Sequence, residues 1–97
     1  MSVDALLGSM IERLVARHPN VLSPLGAGIM AAVHTGYCKD SQSFAKKLEV
    51  EHALVIRECV LLADEYKAIH VDRKNDRNQR LSYSLTDVGR QMLAEAV

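Results

Sequence analysis

Four of the chain's 12 lysines and arginines, Arg73, Lys74, Arg77 and Arg80, fall within eight consecutive positions, with Asp72 and Asp76 beside them. A basic loop of that density suits contacts to a phosphate backbone, or an arginine entering a minor groove. It would also serve simply to keep a hairpin tip soluble. A second group, Ser41, Ser43, Lys46 and Lys47, lines the start and body of a short amphipathic segment. Hydroxyls and backbone amides at a helix start can clamp phosphate, although capping alone accounts for Ser41. A third group runs through His52, Ala53, Ile56 and Arg57. Near the start of a helix such residues can reach base edges, the arginine and histidine by hydrogen bonding, the alanine and isoleucine against thymine methyls. His52 is equally readable as a surface residue.

No catalytic constellation competes with these. His18, His34, His52 and His70 show no metal-ligand spacing with one another or with Cys38 and Cys59. Gly26-Ala27-Gly28 lies inside an expected helix, not in a phosphate-binding loop. No serine or cysteine has a base placed by a recognisable motif. The sequence reads as a non-enzyme with no cofactor and no metal. Cys38 beside Lys39 has some character of a redox thiol, but a cysteine at a helix end more often packs.

The residues that position these groups belong to one small domain of 97 residues, 48% of them apolar, with 12 basic and 12 acidic side chains and no net charge. Apolar runs fall far short of the roughly 20 residues needed to cross a bilayer. Nothing resembles a cleavable leader, so a reduced, cytoplasmic protein with no membrane association is expected. Zero net charge argues mildly against a generic polyanion binder, but the total averages an uneven chain. Bases collect in the 73–80 stretch, and Glu51, Glu58 and Glu65 form an acidic row.

Apolar spacing predicts a helix over 2–17, a second over 24–36 opened by Ser23-Pro24 and closed by Gly36, and a short one over 41–48. A longer helix follows over 51–66, with Val55, Cys59, Leu62 and Tyr66 on its core face. Ile69–Val71 and Leu81–Leu85 read as strands around a polar loop, and Thr86 caps a last helix over 86–97. Leu54 and Leu61, seven residues apart beside the acidic row, face either a partner helix or, by preference, the chain's own first helix.

Short helix, tight turn, longer helix and hairpin with a charged tip is the order of a winged helix-turn-helix. The fold expected is mainly α with a small β-hairpin, carrying extra N- and C-terminal helices, with the wing over 69–85. Residues 41–50, Val55, Arg57, Leu62, the Asn75-Asp76 tip and Leu85-Thr86-Asp87-Val88-Gly89-Arg90 resemble the MarR family of regulators across roughly residues 24–93. Glu49 stands where that family usually has a turn glycine, and Tyr66-Lys67-Ala68 replaces the glycine that commonly ends its recognition helix. Asn78 takes the place of the wing arginine.

The resemblance implies sequence-specific binding of double-stranded DNA by a small transcriptional regulator. The long helix would enter the major groove, and the basic wing would hold the flanking backbone. A homodimer is expected through Val3, Leu7, Met10, Leu14, Met92 and Leu93, whose apolar side chains call for more cover than one small core provides. The competing reading is a winged-helix module that binds a protein partner through its apolar long helix and leaves DNA alone.

Overall fold

The computed structural model describes the backbone of residues 3–75 and 80–96, and the side chains of residues 6–72 and 80–96. Among the described residues, five helices and one two-stranded antiparallel sheet make up a mainly helical α+β fold. In chain order these are α1 (Val3–Arg17), α2 (Pro24–Thr35), α3 (Ser41–Leu48), α4 (His52–Asp64), β1 (Ile69–Asn75), β2 (Arg80–Leu85) and α5 (Asp87–Ala96).

The helix ends follow local chemistry. Ser23 caps α2, its hydroxyl accepting the Gly26 N–H at 3.0 Å, and Pro24 fills the first helical position where no amide is needed. Gly36 closes α2 in the left-handed region at φ 79°. For α3 the cap is Asp40, not Ser41: its carboxylate accepts the Ser43 N–H at 2.8 Å and the Ser43 hydroxyl at 3.0 Å. A carboxylate one residue upstream outcompetes the serine because Ser41 is already inside the first turn.

α2 is the centre of the core. Every residue from Gly26 to Ala32 is buried, so the helix is apolar all round and not striped on one side. α1 packs across it, and α5 joins α1 on the same side. Val55, Cys59 and Leu62 of α4 face inward as their spacing predicts. Leu54 does not pack under α1, because α1 is taken up by α2 and α5, and it stays 44% exposed. Val88, on α5, is also exposed.

In the hairpin, Ile69 pairs with Leu85, His70 with Ser84, Val71 with Tyr83 and Asp72 with Ser82. The register shifts beyond Asp72 before Asn75 meets Arg80, so the strands extend into the polar stretch that reads as loop from its side chains. Backbone pairing continues there regardless of hydropathy, since an antiparallel ladder is made by main-chain groups.

Among the described residues, two other than glycine occupy the left-handed region, Glu49 at φ 55° and Lys67 at φ 56°. Glu49 ends α3 and Lys67 lies between α4 and β1. Such a backbone strains an L-residue by roughly 1–2 kcal/mol, and glycine's extra freedom when unfolded offsets about half of that. Glu49→Gly and Lys67→Gly should each raise the melting temperature by about 3–6 °C for a domain of this size. A fall in either variant, measured by circular dichroism, would contradict the strain.

Candidate nucleic-acid interface

α3 and α4 are joined by Glu49, Val50 and Glu51, and the hairpin lies directly beside them. Ser41, at the start of α3, is completely buried. Its hydroxyl accepts the Leu81 N–H of β2 at 2.9 Å and shares a 2.8 Å hydrogen bond with His52 Nε2 at the start of α4. Alongside, Asp40 and Ser82 form an isolated antiparallel bridge, and the Tyr83 N–H donates to the Lys39 carbonyl at 3.1 Å. One buried hydroxyl therefore ties two helices and a strand into a single piece.

Ser41 is thus no phosphate clamp, because no part of it reaches solvent. His52 is half-buried, and its Nε2 is held by Ser41. Ser41→Ala would leave the buried Leu81 amide without an acceptor, at a cost of about 2 kcal/mol. Amide hydrogen exchange should rise most at Leu81 and its strand neighbours. Exchange unchanged at Leu81 would show that the tie carries no weight.

The remaining expected contacts separate into usable and committed ones. Arg57 and Ala53 are exposed on the side of α4 away from Val55 and Cys59. Ile56 and Ser43 are half-buried, and Ser43 is spent on Asp40. Lys46 and Arg80 are exposed. Lys47 is engaged within the fold, its ammonium donating to the Tyr37 carbonyl at 2.9 Å and lying 4.6 Å from the Tyr37 ring centroid. The side chains of Arg73 and Lys74, and the whole of Arg77, lie outside the described residues.

Acids border this surface. Glu51, Glu65 and Asp64 are exposed, whereas Glu58 accepts the Ser23 hydroxyl at 3.0 Å and is turned toward the start of α2. That bond links the acidic row to the α2 cap and swings one of its carboxylates away from the outer face of α4.

The expected dimer surface is corrected by the fold. Leu7, Met10, Leu14, Met92 and Leu93 are all buried within the chain's own core, and Leu14 has no exposure at all. α1, α2 and α5 cover one another, so these side chains need no second copy. The side chain of Val3 lies outside the described residues.

The stretch Leu85–Arg90 proves to be a structural junction. The Thr86 hydroxyl donates to the Lys67 carbonyl and accepts the Gly89 N–H, and the Thr86 N–H donates to the Ala68 carbonyl. Arg90 donates to the Leu85 carbonyl at 3.2 Å and to Asp87 Oδ1 at 2.7 Å. These bonds seat α5 on the segment that leaves α4.

Cys38 and Cys59 are buried free thiols, and burial pushes both toward the protonated form. Among the described residues, no three or more His, Cys, Asp or Glu side chains gather in a way that could hold a metal ion. No helix among them is long and apolar enough to cross a membrane. No family model matches the chain, and neither a curated protein nor a solved structure matches it.

Proposed function

We propose that this chain is a winged helix-turn-helix protein, similar to the MarR family, that binds double-stranded DNA sequence-specifically as a transcriptional regulator. The observation that carries this reading is the Ser41 tie, which fixes α3, the start of α4 and β2 as one rigid unit while Arg57 stays exposed on α4. Reading a duplex requires a helix and a flanking arm held in constant relation. In this reading α4 enters the major groove and Arg57 contacts a base edge or phosphate. Lys46, Arg80 and the basic stretch 73–77 hold the backbone on either side. His52 supports the unit through Ser41 and does not read bases.

The test is binding to random-sequence duplex DNA at about 50 and 200 mM salt, where counterion release makes a phosphate binder salt-sensitive. Arg57→Ala should lower affinity at both salts. Changing Arg73 and Arg77 to alanine should lower it and flatten the salt slope by about one to two units. No binding at the lower salt would turn the reading to a protein-interaction module, for which the exposure of Leu54 beside Glu51 is the supporting observation.

A further inference from the structure

The protons of the tie between α3, α4 and β2 can all be placed, and one charge state of His52 satisfies them. Ser41 is completely buried, and among the described residues its hydroxyl has two partners, the Leu81 N–H at 2.9 Å and His52 Nε2 at 2.8 Å. A backbone N–H can only donate, so Ser41 Oγ is the acceptor toward Leu81. Its single hydroxyl proton must then go to His52, because a buried O–H without an acceptor is costly. Nε2 therefore offers its lone pair, and the proton of the neutral ring sits on Nδ1, the nitrogen open to solvent.

Acid undoes this arrangement. Protonation adds a hydrogen at Nε2, so two hydrogens meet across a 2.8 Å contact. If Nε2 becomes the donor, Ser41 Oγ accepts twice and its own hydrogen points into a site closed to solvent. Neighbouring charges supply no replacement. The Asp40 carboxylate, just before α3, is engaged at both oxygens by Ser43. Lys46 and Lys47 on α3 and Arg80 on β2 are donors only. Glu49 and Glu51, just ahead of His52 in the chain, are exposed, and neither they nor Asp72 on β1 bond to Ser41. α2 also packs on α4, and its one ionisable side chain, His34, is exposed.

We propose that His52 is a proton-operated latch within this unit: neutral, it locks β2 to α3 and α4, and protonated, it lets them separate. The locked state binds one proton fewer at this site, so falling pH drives release. Imidazoles ordinarily change charge between about pH 5 and 8, which sets the interval of operation. The consequence for DNA rests on the function proposed above, and its sign is diagnostic. A histidine that merely met phosphate would strengthen binding in acid by adding positive charge. The latch weakens binding in acid, because arm and helix lose their fixed relation.

The latch itself is tested without DNA. Nitrogen-15 NMR of the imidazole rings at about pH 7.5 should show the Nδ1–H tautomer at His52. Between about pH 7.5 and pH 5, the hydrogen-exchange protection factor of the Leu81 amide should fall at least about tenfold. That of Ala31, buried in α2, should change little. His52→Gln cannot gain a proton, so its Leu81 protection should stay constant over the same range. Affinity for random-sequence duplex DNA should fall with pH in the wild type and not in His52→Gln. If Leu81 responds as stated but DNA binds at neither pH, the DNA reading fails and the latch stands. An Nε2–H tautomer at neutral pH overturns the latch. So does Leu81 protection indifferent to pH in the wild type, or a fall that persists in His52→Gln.

Discussion

Replacing Gly89 by alanine should cost about 3 kcal/mol or more and lower the melting temperature by at least about 12 °C. A Cβ at this position would sit 2.1 Å from the Ala68 carbonyl oxygen and 3.1 Å from its carbon. The obstacle is backbone, so no side-chain rotation relieves it. That carbonyl also accepts the Thr86 N–H at 3.1 Å, and moving it away breaks the seat of α5. α5 contributes Met92 and Leu93 to the core, so the damage spreads beyond the junction. Gly8 is the control: it is exposed on α1, nothing lies within 4 Å of an added Cβ, and Gly8→Ala should stabilise by up to about 1 kcal/mol. Equal effects at the two glycines would refute the steric account.

Stability should fall steeply as pH rises above 9. Burial pushes the Cys59 thiol from 9.0 up to about 12, with the nearby Glu58 adding to the shift. Burial likewise raises Cys38, where Lys47 opposes and Asp40 assists, and it raises the Tyr83 hydroxyl, which is buried without a hydrogen-bond partner among the described residues. In the unfolded chain these groups ionise from about pH 9–10 upward, whereas the folded state keeps its protons. The stabilisation is therefore complete below pH 9 and is lost as pH climbs toward 12. At about 1.4 kcal/mol per unit, Cys59 alone accounts for a loss on the order of 4 kcal/mol. Denaturant melts at a series of pH values from 7 to 11 would show the decline, and a flat profile above pH 9 would exclude it. The same burial predicts that thiol reagents leave the native protein untouched at pH 8 and modify both cysteines once it is unfolded.

The helices and their faces were legible because local chemistry determines them. Ser23-Pro24, Gly36 and Thr86 act within a few residues of their own positions, and the inward side of α4 follows from Val55, Cys59 and Leu62 alone. What escaped the sequence depends on distant partners. Ser41 looks like a cap or a phosphate clamp until Leu81 and His52 close over it. Leu7, Met10 and Leu14 look like an interface until α2 and α5 are seen to cover them, and Leu54 looks like core until α1 is found elsewhere. No periodicity links Lys47 to the carbonyl and ring of Tyr37, ten residues earlier. The Asp40 cap is a local signal too, a carboxylate three residues before the amide it accepts.

The Ser41 tie also orders events in time. Its partner in β2 lies 40 residues later in the chain. At about 5–20 residues per second of synthesis, α3 waits roughly 2–8 s for Leu81 to be made. During that interval its hydroxyl is solvated and the pairing of α3 with α4 has no strand to rest on. Leu81, Tyr83, Met92 and Leu93 all enter the core from this late segment, so the nascent chain cannot close its interior piecemeal from the N-terminus. Folding waits for residues 81–93, and a ribosome stalled before Leu81 would carry an open helical intermediate exposed to proteases.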